Sequence, residues 1–423
     1  MTPIPRHLLP DNSVIGPDGQ LSIGGCGIAE LARVHGTPLF VYDEDHLRDR
    51  CRQTVAEFAG GATYASKAFL CRAMARLAHE EGMRIDVATG GELHVALSAG
   101  VPAERLVFHG NNKSSMELKL ALEAGVGRLV VDSFDELDRI ERLVNGGLPG
   151  PRVLVRITPG VEAHTHEFVK TGQDDSKFGF TVSTGSADEA VRRVMASGAM
   201  ELVGIHAHIG SQVFRVESFS EALAVIADFA RPFPVAELVI GGGLGVAYVE
   251  GEDSPGISEW ARVLRKTADD LGITAELGVE PGRAVVASAA ITVYTIGTVK
   301  PIPGIRTYVA VDGGMSDNPR PVLYGSGYET FLPERAADAR PERIRLVGKH
   351  CESGDLLVRD GRIPAGFAVG DLVSTPVTGA YGHSMGSNYN KVLRPAVVFA
   401  RSGTARLVVR RETYDDLLAT DLG

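Results

Sequence analysis

Apolar residues along this chain fall into two rhythms. From about residue 60, short β-forming runs alternate with longer stretches whose apolar positions recur at helical spacing. The runs are Ala62 to Ser66, Arg84 to Ala88, Leu106 to His109, Leu129 to Val131, Val153 to Ile157, Leu202 to His208, Leu238 to Ile240 and Ala275 to Glu280. After the first run, Leu70, Met74, Leu77 and Ala78 line one side of a predicted helix. Met116, Leu118, Leu120 and Leu122 mark a second, less cleanly patterned helix, and Phe134, Leu137, Ile140 and Val144 a third. Eight strand–helix units match the rhythm of a (β/α)8 barrel. A doubly wound open sheet is the rival reading, and the count of eight favours the barrel.

Beyond Glu280 the rhythm changes. Ala284 to Val299, Ile305 to Val311, Leu372 to Val377 and Lys391 to Arg410 hold β-type runs punctuated by Pro303-Gly304, Gly313-Gly314, Gly370 and Gly403. They predict an all-β C-terminal domain over residues 284–423, following a barrel over 43–283. Residues 12–42 contain the strand-like Leu21-Ser22-Ile23 and Leu39-Phe40-Val41-Tyr42, and are expected to pair with that β domain.

Composition narrows the function more than the fold. The 423 residues are 44% hydrophobic and 23% charged, which is ordinary for a globular protein of two domains. A formal charge of −10 disfavours a broad nucleic-acid or anionic-membrane surface, without bearing on a local basic site for a small anion. Cys26, Cys51, Cys71 and Cys351 are scattered, so neither a zinc cluster nor a disulfide framework is expected. The N-terminus lacks the pattern of a signal peptide, no run approaches a membrane span, and a reduced cytoplasmic protein is the simpler expectation.

In a barrel, chemistry sits where the strands end. Lys67 follows the first run, Asp86 lies in the second, His109 closes the third and Arg156 lies near the end of the fifth. His206 and His208 occupy the sixth, Gly241-Gly242-Gly243 follow the seventh, and the eighth ends in Glu280-Pro281-Gly282-Arg283. Each has a bland reading: a lysine after a strand is usually a solvated flank, a strand histidine a hydrogen-bonded core residue, a glycine triplet a turn. Their common place on one rim makes the set informative. A lysine can form a Schiff base with an aldehyde cofactor, and glycine-rich backbone with an arginine can cradle its phosphate. A carboxylate such as Glu280 can keep a pyridine nitrogen protonated, and His208 could lie flat against the ring. A nicotinamide enzyme fits worse, because Gly241 to Gly245 lacks the dinucleotide-binding spacing.

With these residues in place, the chain resembles the fold type III pyridoxal-phosphate decarboxylases, from about residue 14 to the C-terminus. The resemblance implies an alanine racemase-like architecture, a pyridoxal 5'-phosphate-binding TIM barrel plus a C-terminal β domain. It implies that Lys67, in Tyr64-Ala65-Ser66-Lys67, carries the cofactor and that His208 stacks on its ring. Asp86 would line the cofactor pocket, Ser211, Gly243, Gly282 and Arg283 would surround the phosphate, and Glu280 would face the pyridine nitrogen. Asp312 to Pro321 and Tyr324 resemble the family's substrate segment, where Arg320 and Tyr324 would meet a substrate carboxylate. His350 to Asp355 resembles its CESGD motif, with Cys351 as general acid and Glu352 as partner of a distal amino group. Gly379-Ala380-Tyr381-Gly382 places Tyr381 near phosphate and substrate. Thr165 to Phe168, through Lys177-Phe178-Gly179, resembles a loop near the substrate entrance.

Within that family the motifs imply the branch acting on meso-diaminopimelate and yielding lysine. The family also implies a homodimer whose active site takes its cysteine segment from the neighbouring subunit. Arg320 and Arg283 suit a distal carboxylate and Glu352 a distal ammonium, which ornithine or lysine would leave partly unmatched. Decarboxylases of other amino acids, an amino-acid racemase and a non-enzymatic cofactor store are the competing readings. Read from the residue alone, Cys351 is equally a buried small hydrophobe, although a neighbouring carboxylate suits a thiol proton donor.

Overall fold

The computed structural model describes residues 2–160 and 174–423. The chain forms two compact units. One comprises Arg50–Gly245 with Ser254–Ala284; the other comprises Met1–Asp49, Val246–Asp253 and Val285–Gly423.

Eight parallel strands build the first unit: Thr63–Ala65, Arg84–Val87, Leu106–Phe108, Arg128–Val131, Arg152–Thr158, Glu201–His206, Glu237–Val239 and Glu276–Gly278. Each pairs with the next. The ring closes where Ala62 bridges Val279 in parallel and the Thr63 amide donates to the Val279 carbonyl at 2.9 Å. That closure makes a barrel and excludes the open sheet. Val107, Val130, Leu154, Val203 and Val239, from five consecutive strands, pack as one buried cluster. A two-residue strand, Phe180–Thr181, adds to the fifth strand with Phe180 opposite Ile157.

The connecting helices start where their caps dictate. Ser114 accepts from the Glu117 amide while the Glu117 carboxylate accepts from the Ser114 amide, a reciprocal box that fixes the start of Ser115–Ala124. Ser133 caps Phe134–Asn145 and Thr89 caps Gly90–Ser98 in the simpler way. In Arg72–Glu80 the expected Met74, Leu77 and Ala78 are buried. In Ser115–Ala124 the buried face is Leu118, Ala121 and Leu122, whereas Met116 and Leu120 are 70% and 47% exposed. That split explains the imperfect pattern: positions 116 and 120 fall off the 3.6-residue stripe that 118, 121 and 122 define.

The second unit is all-β at its centre. Its main sheet runs Leu356–Ile363, Glu342–Val347, Arg306–Val311, Ala290–Ile302, Leu39–Asp43, Ala396–Arg401 and Thr404–Val409, and Leu372–Pro376 also pairs with Ala290–Ile302. Leu39–Asp43, buried throughout, inserts between Ala290–Val293 and Ala396–Ala400. Ser13–Ile15, Leu21–Ile23 and Cys26–Gly27 form a separate antiparallel sheet. The β run expected from Ala284 begins instead at Ala290, because Arg283–Val286 makes one helical turn. The apolar stretch there has no alternation to distinguish a buried turn from a strand. Among the described residues, no helix is long and apolar enough to cross a membrane.

Candidate functional site

The strand ends of the barrel collect the reactive groups. Lys67 sits in a single 3-10 turn, Ser66–Ala68, directly after the first strand. The Tyr64 hydroxyl donates to the Phe69 carbonyl at 2.6 Å and ties both sides of that turn together. Asp86 stands opposite Ala65 in the second strand. His109 follows the third strand, with its amide donating to the Val87 carbonyl at 2.8 Å. Glu280 lies just past the eighth strand, and its amide donates to the Gly241 carbonyl at 2.8 Å.

Three of these side chains form one buried cluster. His109 Nε2 lies 3.0 Å from Glu280 Oε1, and His206 Nε2 lies 3.0 Å from Glu280 Oε2. Asp86 stands behind His109 at 4.0 Å. Burial pushes the Glu280 carboxyl up, but the charges and hydrogen bonds of His109 and His206 outweigh it and hold the group well below its ordinary range. Burial lowers His109 too, yet Asp86 and Glu280 together raise it. Burial lowers His206, and its contact with Glu280 does not reverse that. The cluster thus presents an ionised carboxylate beside one histidine that favours its proton and one that does not. His208 is driven well below its ordinary value, first by burial and then by the Lys67 charge, so its imidazole is a neutral, flat surface.

A second group is made of backbone. Gly241, Gly243 and Gly210 all have positive φ, at 71°, 104° and 149°. A Cβ on Gly241 would lie 2.6 Å from His208 Nδ1, and one on Gly243 would overlap the Gly210 carbonyl oxygen. A Cβ on Gly282 would come within 2.8 Å of the Ala65 carbonyl oxygen. Side chains are therefore excluded where the backbone must come close. The Gly242 amide donates to His208 Nδ1 at 3.3 Å, and Arg283 Nη2 donates to Ser211 Oγ at 2.9 Å. Glycine backbone, a hydroxyl and a guanidinium on one rim suit a phosphate, and a buried anion a short way off suits a protonated pyridine nitrogen. The residues present fit pyridoxal phosphate.

Residues 44–287 match the pyridoxal-dependent decarboxylase family over its pyridoxal-binding domain. The chain belongs to this family. It is 48% identical over 437 aligned positions to a diaminopimelate decarboxylase of Mycobacterium tuberculosis, covering 98% of both chains. It is 44% identical over 420 positions to one of Bacillus subtilis, covering 96% of this chain and 95% of the other. A crystal structure of diaminopimelate decarboxylase from M. jannaschii in complex with L-lysine superposes with a TM-score of 0.89 at 32% identity, covering 98% of both chains.

The β unit of this pyridoxal-dependent decarboxylase carries the remaining candidate residues. Arg320 is buried in the short helix Arg320–Tyr324. Its Nη1 donates to the Tyr328 hydroxyl at 2.5 Å, and its guanidinium lies 4.2 Å from the centre of the Tyr248 ring. Tyr324 is half-buried at the end of that helix. Cys351 and Glu352 are exposed at the turn between Glu342–Val347 and Leu356–Ile363, where Asn390 Oδ1 accepts from the Cys351 amide at 3.0 Å. Tyr381 is half-buried with φ of 59°.

Asp355, the acid that closes the Cys351 turn, has a positioning job. One oxygen accepts from the Met315 amide at 2.7 Å and the other from the His350 amide at 2.8 Å, so it laces the turn to the 312–321 segment. His350 Nε2 also meets Ser316 Oγ at 2.8 Å.

Some residues escaped the sequence reading. Tyr248 and Tyr328, which hold Arg320, have no local signal. Arg156 falls on the rim by its place in the sequence, but its packing over Phe178, 4.3 Å to the ring centre, and the Gly179 amide's bond to Asp132 depend on tertiary contacts. Thr165 to Phe168 lie outside the described residues.

Proposed function

We propose that the protein decarboxylates meso-diaminopimelate to L-lysine, with Lys67 holding pyridoxal phosphate. The observation that carries this reading is the full-length likeness to diaminopimelate decarboxylases at up to 48% identity. When bound, the cofactor supplies the electron sink for the pair left when the bond between the α-carbon and its carboxylate breaks.

The rest is the work of this chain. Lys67 Nζ would hold the cofactor through its aldehyde carbon. Glu280, kept ionised by His109 and His206, holds the proton on the pyridine nitrogen, where a neutral acid would not. His208, neutral and buried, covers one face. Ser211, Gly243, Gly282 and Arg283 would hold the phosphate, and Asp86 favours the charged form of His109 beside Glu280. After carbon dioxide leaves, the Cys351 thiol delivers a proton to the α-carbon, and its exposed position at a turn suits a group that must reach a substrate.

Recognition of the far end follows from charge. Arg320, preset by Tyr328 and Tyr248, receives the distal carboxylate with Tyr324, Arg283 is a second cation suited to that group, and Glu352 receives the distal ammonium. Tyr381 completes the phosphate and substrate contacts. We further propose a homodimer in which Cys351 and Glu352 serve the neighbouring subunit's site. None of the four cysteines is in a disulfide, which supports the cytoplasm as the compartment.

Borohydride reduction of the cofactor-loaded protein, followed by peptide mass analysis, tests the anchor. The phosphopyridoxyl group is expected on the peptide containing Lys67; finding it on another lysine would overturn the assignment.

A further inference from the structure

The far end of the β unit carries a concentration of positive charge that decarboxylation does not use. Arg306, Arg343, Arg345, Arg359 and Arg362, with a single acid, Asp360, line a cavity of about 440 Å³. Arg343 and Arg345 alternate with the buried Ile344 and Leu346, so their side chains stand on the outer face of the strand. Arg343 lies directly opposite Arg362 in the antiparallel ladder. Like charges in that position repel. Arg345 Nε donates to the Arg359 backbone carbonyl at 3.2 Å, which orders the Arg345 guanidinium without neutralising it. Among the described residues, no carboxylate forms an ion pair with Arg306, Arg343, Arg345 or Arg359.

Position separates this cluster from the proposed substrate contacts. The strands Glu342–Val347 and Leu356–Ile363 are joined by the turn bearing Cys351, next to the Val347–Leu356 pair. Arg343 and Arg362 belong to the other end, next to the pair Glu342–Ile363.

We propose that this cavity binds a compact polyanion with two or more linked phosphate groups, the polyphosphate chain of a nucleotide or of an inorganic polyphosphate. Arg306, Arg343, Arg345 and Arg359 against the one carboxylate already leave a local excess of positive charge on a chain whose formal charge is −10. Guanidinium forks match phosphate oxygens in pairs, so one phosphate occupies about two arginines and the rest require a longer chain. The volume lies within the range of about 300–1,000 Å³ common to small-molecule sites. Ile305, 68% exposed at the edge of the cavity, offers apolar surface to whatever the phosphates are attached to.

Calorimetric titration of the cofactor-loaded protein tests this, because the loaded barrel already has its phosphate cradle filled. Tripolyphosphate should bind at one saturable site per chain and weaken as salt rises. Orthophosphate should bind at least about tenfold more weakly, and the Arg343→Gln/Arg362→Gln double variant should bind tripolyphosphate at least about tenfold more weakly than the wild type. Tripolyphosphate should raise the melting temperature of the wild type and not of the variant. A nucleoside triphosphate binding more tightly than tripolyphosphate identifies a nucleotide as the source; equal affinity identifies the inorganic chain. Absence of saturable binding, or equal tripolyphosphate affinity in wild type and variant, would overturn the proposal.

Discussion

His206 Nε2 lies 3.0 Å from Glu280 Oε2, and the contact belongs to a clamp, because His109 approaches the other carboxylate oxygen at the same distance. Two histidines on one buried acid keep it charged, and a charged acid is what a protonated pyridine nitrogen needs. Glu280→Gln retains the shape and loses the charge. Turnover should fall by about 10²-fold or more, the scale of removing one preorganised electrostatic partner. His206→Gln leaves His109 in place and should cost less. Steady-state kinetics on both variants checks the order; a larger loss in His206→Gln would mean that the histidine acts other than through Glu280.

Gly241→Ala should damage cofactor binding rather than folding. The new Cβ would meet His208 Nδ1 at 2.6 Å and must also accept a φ of 71°. Strain of about 1–3 kcal/mol follows, together with a displaced ring face. Equilibrium dialysis should show weaker retention of pyridoxal phosphate, while far-ultraviolet circular dichroism stays that of the wild type. Unchanged retention would contradict the role given to this turn.

The barrel and its chemistry differ in how openly the chain displays them. Every barrel strand begins within one residue of its run, because β-rich segments bounded by turn residues and helical stretches leave little freedom. Lys67, Glu280 and the glycine turn were legible because each falls at a strand end. The clamp was only half legible: His109 and His206 stood out as rim residues, but nothing in the sequence pairs them on one carboxylate. Strands Glu342–Val347 and Leu356–Ile363 were not among the expected runs, since their outer faces carry Arg343, Arg345, Arg359 and Arg362 in place of the usual β-formers. Arg320 stands out through its motif, whereas nothing in the sequence pairs it with Tyr328 eight residues on or with Tyr248 from a separate segment.

Lys113 should be a stability residue. It is buried, 2.7 Å from Glu136 Oε1, and donates to the carbonyls of Gly110 and Val130 at 2.8 and 2.7 Å. Lys113→Met leaves Glu136 buried without its cation and should destabilise the protein by about 3–5 kcal/mol. Lys113→Met/Glu136→Gln should recover part of that loss in urea unfolding. If the double variant is no more stable than the single, the pair is not the source of the effect.

Asp317 predicts a pH dependence of stability. Burial raises its carboxyl to about 7, against the bonds it accepts from the Tyr294 hydroxyl and the Gly314 amide. The folded protein therefore keeps a proton that the unfolded chain, with an ordinary carboxyl near 3.8, gives up. Its contribution is fully present below the unfolded value and is lost as pH rises towards about 7, by at most about 1.4 kcal/mol per pH unit. Asp317→Asn removes the titration and should flatten that part of the stability curve. An identical slope in wild type and variant would assign the pH dependence elsewhere.

Carbon dioxide release from the cofactor-loaded protein tests the central claim most directly, comparing meso-, LL- and DD-diaminopimelate with L-lysine and L-ornithine. Release from the meso isomer with L-lysine as product, falling by about 10²-fold in Arg320→Ala, is the result predicted. Release from L-ornithine or L-lysine in preference to meso-diaminopimelate, or full activity in Arg320→Ala, would contradict it.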